Sequence, residues 1–204
     1  MTPFDRGLEV AITVVLIIGG YQFYFWAQRQ RWFEARCLET RFDAMISYDP
    51  RWVWIYSGLY YPMIVLAALS VSTWPDFANC VGAYLALLAV QMCFFLFMPV
   101  EIPSAWRLAY RGPWEGSHSQ AFLDLVWSFD KLRNSMPSMH VSVAMMTDLT
   151  IGRQWPQIGV VCAAFPLLIA ISALKTKQHY VVDVIPGAAL GALVFWAWHG
   201  MTGV

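Results

Sequence analysis

The sequence predicts an all-α integral membrane bundle of six transmembrane helices, with an interfacial helix in the loop between helices three and four. Three observations lead there. Apolar residues make up 59% of the 204 and charged residues only 13%, against about 45–50% and about 25% in a soluble domain. The apolar residues gather into runs of spanning length. Trp52, Trp54, Tyr56, Trp74, Trp196 and Trp198 cluster at the ends of those runs, where amphipathic rings sit at headgroup level. Net charge is zero, so nothing favours a nucleic-acid partner, and the chain reads as one domain over 1–204.

A helix that crosses hydrocarbon needs about 20 mostly apolar residues, because its backbone groups must all be satisfied internally. The runs are 8–26, 52–74, 80–98, 137–151, 157–174 and 180–198. No basic stretch and small-residue cleavage site accompany the first, so it reads as a retained helix and not a removed signal. The fourth is short and carries Asp148, a candidate polar contact between helices. The fifth contains Pro166 and is expected to kink there. Cys93 and Cys162 fall inside apolar runs, and Cys37 and Cys80 belong to different loops, Cys80 at the edge of the third run. Neither a disulfide framework nor a zinc spacing is implied.

Two loops are long. Residues 27–51 carry Arg29, Arg31, Arg36, Arg41 and Arg51, a basic surface facing solvent or lipid headgroups. Residues 99–136 exceed the length of a structureless connection, which favours a functional or partly folded segment. Within them Phe122, Leu125, Val126 and Phe129 recur at helical spacing and predict an amphipathic helix lying in the interface. With six helices, the loops one-two, three-four and five-six share a side and hold 11 of the 13 Lys and Arg. Positive-inside counting places that side in the cytoplasm.

On this basic side, the long loop ends in Pro137, Ser138 and His140, and the loop before the sixth run carries Lys175, Lys177, His179 and, one turn later, Asp183. Both clusters can meet at one face. Four residues apart, His179 and Asp183 share a helix face. The carboxylate can accept a hydrogen bond from one ring nitrogen and leave the other as an oriented nucleophile or base; a purely structural hydrogen bond is the competing reading. An acid a turn inside an apolar helix is expensive without a partner and marks function. Lys175 and Lys177 beside the imidazole make an anion site, with snorkelling to headgroups as the alternative.

Pro137 suits the first position of a helix, with Ser135 or Asn134 as cap candidates upstream. Free backbone N–H groups there, including those near Ser138, would point toward a bound anion. His140 sits one step into that helix, able to give a proton to a departing oxygen. Two histidines, a carboxylate, two lysines and a helix N-terminus suit phosphoryl transfer, which needs in-line attack, charge neutralisation on the equatorial oxygens and protonation of the leaving group. No metal or other cofactor is required.

These residues resemble the type-2 phosphatidic acid phosphatase superfamily, related to acid phosphatases and vanadium haloperoxidases, whose motifs read K-x6-R-P, P-S-G-H and S-R-x5-H-x3-D. "PSMH" (137–140) matches the second with Met139 for glycine, and "SALKTKQHYVVD" (172–183) matches the third with Ala173 for arginine. The style of "NSMPSMHVS" and "TKQHYVVDVIPG" is most similar to the branch of inositol phosphorylceramide synthases and their bacterial relatives. By that resemblance His179 is the nucleophile forming a phosphohistidine, Asp183 its orienting partner, His140 the acid for the leaving group, and Ser138 a lining residue of the phosphate site. The first motif does not match: "MPVEIPSAWR" (98–107) offers Glu101 and Arg107 but no lysine. Lys177, Lys175, Arg107 and Arg133 are the candidates for the missing cations, while His118 and His199 match nothing.

The resemblance implies an integral-membrane lipid phosphatase, in a bacterial cytoplasmic membrane, acting on a lipid phosphate or phospholipid among membrane lipids, with a homo-oligomer left open. Three other readings stand beside it. A phosphotransferase would move a phospho-headgroup to a lipid hydroxyl; a non-catalytic lipid or anion binder would use the same basic pocket; and the two histidines with Asp183 could serve as facial metal ligands.

Overall fold

A computed structural model describes residues 2–109 and 112–203. Among the described residues the regular elements are all helices, joined by loops that carry two isolated backbone bridges. Helix α1, Pro3–Arg29, opens on a reciprocal cap in which the Thr2 hydroxyl accepts the Asp5 N–H and the Asp5 carboxylate accepts the Thr2 N–H. The loop after it holds α2, Arg41–Met45. A 3-10 turn, Pro50–Trp52, then leads into a π-helical stretch, Trp54–Leu59, that continues as α3, Tyr60–Ser70.

Thr73 caps α4, Trp74–Phe97, by accepting the Asp76 N–H. Trp74 therefore opens the third run and does not close the second, and Cys80 lies buried inside α4, not in a loop. All four cysteines are free. The second long loop folds as α5, Ser104–Leu108, and α6, His118–Phe129. The helix expected between the third and fourth runs is therefore present. Its apolar residues divide, however: Phe122 and Val126 pack toward the buried Tyr48, Val53 and Leu123, while Leu125 and Phe129 stay exposed.

Helix α7, Met139–Gln154, precedes α8, Pro156–Cys162, α9, Ala164–Lys175, and α10, Val181–Thr202. The fifth run breaks between α8 and α9 at Ala163. Pro166 explains the position: its ring excludes the carbonyl four residues back, that of Cys162.

Among the described residues five stretches are long and apolar enough to cross a membrane: Pro3–Arg29, Pro50–Ser70, Trp74–Phe97, Pro156–Lys175 and Val181–Thr202. The fourth run, α7, is the exception to the six-span expectation. Its 16 residues rise only about 24 Å at about 1.5 Å each, short of the roughly 30 Å of hydrocarbon. It packs against α3, α8, α9 and α10, and it buries Ser142, Thr147 and Thr150. A helix enclosed by protein escapes the demand for an apolar surface.

The contact of α7 with α10 fixes the site. A Cβ added to Gly187 would stand 2.7 Å from the Ser138 carbonyl oxygen, and one added to Gly191 would overlap that of Ser142. Only glycine lets the two backbones approach so closely. At the head of this seam the Ser138 N–H donates to the Asp183 carbonyl at 3.1 Å, so the N-termini of both helices lie together.

The two long loops close over that end. The Arg36 N–H donates to the Pro99 carbonyl, Glu101 to Arg36, Ile102 to Leu132 at 2.8 Å, and Ser135 to Val100 at 3.1 Å. Gln28, fully buried near the end of α1, ties them to the bundle by donating to Asp130 at 2.6 Å and to the Arg133 carbonyl at 2.7 Å.

Candidate active site

His179 stands just before α10, with Asp183 in the first turn of that helix. Asp183 is completely buried, and its Oδ2 accepts the Tyr180 N–H at 2.9 Å, which is why the acid is tolerated there: it is part of the helix cap. The same oxygen accepts the Ser135 hydroxyl and lies 3.5 Å from His179 Nδ1. The nearer acceptor for Nδ1 is the Ser135 carbonyl, at 2.9 Å. The ring is thus oriented by the main-chain oxygen, with the carboxylate close beside it. With Nδ1 carrying the proton, Nε2 keeps its lone pair, and no hydrogen bond to it forms among the described residues.

His140, in the first turn of α7, lies with its ring centroid 6.3 Å from that of His179 at an interplanar angle of 61°. Tyrosines surround it. Tyr56 Oη is 2.9 Å from Nδ1 and Tyr21 Oη 3.4 Å from Nε2. The Tyr56 ring also stacks at 4.2 Å, and that of Tyr60 lies at 4.6 Å. Tyr56 belongs to the π-helical stretch and Tyr60 to the α-helix that follows. Widening one turn by a residue re-phases the helix, a feature frequent at functional sites. Tyr56 is 3% exposed, so it is a buried partner of His140 and not the headgroup ring its place in the aromatic cluster predicts.

Between these elements is a small polar hollow lined by Tyr56, Arg133, Asn134, Ser135, Gln178 and His179, among others. Arg133 is 6% exposed and donates to the Phe33 carbonyl at 2.6 Å, but its Nε has no partner. Gln178 Nε2 is likewise buried and unpaired. Two lining residues with an unsatisfied donor each, beside an imidazole, suit an anion, while the Asp130 carboxylate and the unpaired Asn134 Oδ1 belong to the same lining and oppose it. Burial and nearby Arg31 lower the Arg133 pKa, and Glu101 opposes them; guanidinium remains a cation throughout. Leu132, Asn134 and Lys177 adopt left-handed backbone with φ of 63°, 71° and 54°, a strain that non-glycine residues bear mainly at functional sites.

The other expected residues fall as follows. Ser138 caps α7, its hydroxyl accepting the Val141 N–H at 3.4 Å. Pro137 therefore precedes the cap, and Ser135 and Asn134 are not caps. Lys177, 1% exposed, donates to the Asp43 and Ile46 carbonyls at 2.9 and 2.8 Å and lies 4.7 Å from the Trp106 ring. Burial lowers its pKa, opposed by the carboxylates of Asp43 and Glu39. It fastens residues 27–51 to the start of α10, where Asp43 also accepts the Val181 N–H at 2.7 Å. Lys175 donates to Ser47 at 2.7 Å on the exposed surface. Arg107 borders the hollow indirectly, paired with Asp130, which lines it, and donating to Gln178 Oε1 at 2.7 Å. His199 donates to or accepts nothing in this region; its Nδ1 meets the Phe195 carbonyl at 2.8 Å.

Among the described residues no group of three or more His, Cys, Asp or Glu is placed to hold a metal ion, so the facial-ligand reading of His140, His179 and Asp183 finds no such cluster. Ser135, Gln178 and the three tyrosines are the site residues sequence reasoning did not assign. The signal for the tyrosines was the i, i+4 pairing of Tyr56 and Tyr60; Ser135 carried none.

A sequence model described as the PAP2 superfamily matches residues 37–197, which include both histidines, Asp183 and the hollow's loop residues. No curated protein and no solved structure matches the chain.

Proposed function

The chain belongs to the PAP2 superfamily, and from that membership and the site geometry we propose that it is an integral-membrane lipid phosphatase working through a phosphohistidine on His179. The observation that carries this reading is the 6.3 Å approach of the His140 ring to His179, which lines a hollow together with Arg133 and Gln178, each holding an unpaired donor.

The phosphoryl group sits in the hollow. His179 Nε2 attacks phosphorus, the P–N bond forms as the P–O bond to the lipid breaks, and His140 gives its proton to the departing alkoxide. Water then attacks phosphorus from the vacated side, His140 takes a proton from it, and the P–N bond breaks to release phosphate and the free ring. Arg133 and Gln178 carry the charge of the equatorial oxygens, a role in which positioning and electrostatics supply most of the rate. No step requires a metal. Positive-inside counting supports a site on the cytoplasmic side, because the loops that close the hollow belong to the side with the arginines of 27–51. The exposed Leu125 and Phe129 of α6 rest in the interface there.

The test is to incubate purified protein with lipid phosphomonoesters, in chelator, and to identify products by mass spectrometry with His179→Ala as control. Release of inorganic phosphate and dephosphorylated lipid is expected. Formation of a new phosphodiester lipid alone, with an alcohol acceptor present, assigns the transferase instead. No product from any lipid, with lipid binding retained by His179→Ala, means a non-catalytic binder, and a His179→Ala protein that turns over at the native rate removes His179 as the nucleophile.

A further inference from the structure

A second cavity lies on the opposite flank of His140. It is a narrow apolar groove between α1, α3, α4 and α7 with a cavity volume of about 110 Å³, below the roughly 300–1,000 Å³ of drug-sized ligand pockets. At one end it is lined by Tyr21, Tyr60 and Met139, and at the other by Thr13, Ala68 and Phe77. Tyr21 and Tyr60 are the two residues that touch His140 from this side, whereas Tyr56 touches it from the polar hollow. His140 thus contacts Tyr56, which lines the hollow, and Tyr21 and Tyr60, which line the groove.

We propose that this groove holds one hydrocarbon chain of the lipid whose phosphate occupies the hollow, with the ester oxygen at His140; the inference rests on the phosphatase reading above. Three observations name the occupant. The walls include three candidate membrane-spanning segments, so the medium that meets the open side is lipid. The groove ends at Tyr21 and Tyr60, both in contact with the proton donor, which would bring a chain near the departing oxygen. Its length fits a long chain: from Gln91 to Phe77 along α4 is about 21 Å at about 1.5 Å per residue, more than the roughly 15 Å of a single leaflet's hydrocarbon. Gly20 keeps the groove open, since a Cβ there would meet only Leu88 Cδ2 at 3.7 Å, and anything longer would project into the space.

The experiment uses the full chain in phosphatidylcholine vesicles with a long-chain alkyl phosphonate that carries a photo-crosslinker at its far end and has no ester to cleave. The expected label falls on the groove wall, at Phe77, Cys80 or Val81. Label confined to the outward face of α1, at Val15 and Ile18, which are exposed, or absence of specific label, overturns the proposal. Gly20→Leu is expected to reduce labelling of the wall and turnover of a long-chain phosphomonoester tenfold or more, with less than twofold change for a soluble aryl phosphate. Leucine is a better helix former than glycine, and Gly19→Leu, where nothing lies within 4 Å, is the matched control, expected to change neither. Equal loss by both variants overturns the groove. Wall labelling without release of phosphate from any phosphomonoester leaves the groove standing and sinks the phosphatase reading instead, so the two failures are distinct.

Discussion

His140 Nδ1 lies 2.9 Å from the hydroxyl of Tyr56, and the two rings stack at 4.2 Å with only 26° between their planes. One residue thus fixes both the tilt and the rotation of the ring assigned to proton transfer, and its consequences divide cleanly from those of His179.

Loss of the acid must depend on the leaving group. His140→Ala is expected to lower kcat by about 10²–10⁴ on an alkyl phosphate, the span of general acid catalysis, and by far less on an aryl phosphate whose phenolate needs no proton. Initial rates on the two ester classes check this; equal losses would remove His140 from that role.

Tyr56→Phe keeps the stacked ring and deletes the hydroxyl. It is expected to lower kcat roughly tenfold on the alkyl ester, close to one charge-assisted hydrogen bond, with KM within twofold and little change on the aryl ester. A merely structural tyrosine would lower both rates alike through loss of folded protein.

Two of the buried cations, Arg133 and Lys177, are told apart by different measurements. Arg133→Met removes an unpaired donor from a residue that lines the hollow and is expected to weaken inhibition by inorganic phosphate tenfold or more, with a smaller loss of stability than Lys177→Met because it strips the donor from one carbonyl, that of Phe33, and not two. Lys177→Met strips the donor from the Asp43 and Ile46 carbonyls and is expected to lower stability by about 1–3 kcal/mol, with KM of the surviving protein unchanged. Thermal unfolding beside inhibition constants decides between them.

Gly187→Val is expected to abolish folding or activity, since the Ser138 carbonyl already stands 2.7 Å from where a Cβ would be. Gly200→Val, with nothing within 4 Å, should be neutral. Yield of detergent-extracted monodisperse protein reports the difference.

Much of this was legible in the sequence, for reasons particular to each element. The apolar runs gave the spanning helices because hydrocarbon admits little else, and Pro166 marked its break to within a few residues. The pairing of His179 with Asp183 was visible in the i, i+4 spacing, and the helix breaks around 137 and 180 brought His140 near it. What the sequence hid was tertiary. Nothing local says that α7 is enclosed and so free to be short and polar, or that Tyr56 turns inward while Trp54 stays 55% exposed. Lys177 read as a site cation because charge near an imidazole suits an anion, but its left-handed backbone carries the ammonium to main-chain carbonyls of a loop more than a hundred residues away. Ser135 read as a helix cap for the same want of context; the carboxylate it serves belongs to another helix.

The central claim is that His179 carries the phosphoryl group between lipid and water. Rapid acid-free quenching of the native protein during turnover of a ³²P-labelled lipid phosphate, followed by peptide mapping, tests it most directly. The account predicts an acid-labile, base-stable label on His179 that is absent from His179→Ala and accumulates in His140→Ala supplied with an aryl phosphate. Turnover at full rate with no labelled histidine, or label on His140, would contradict it.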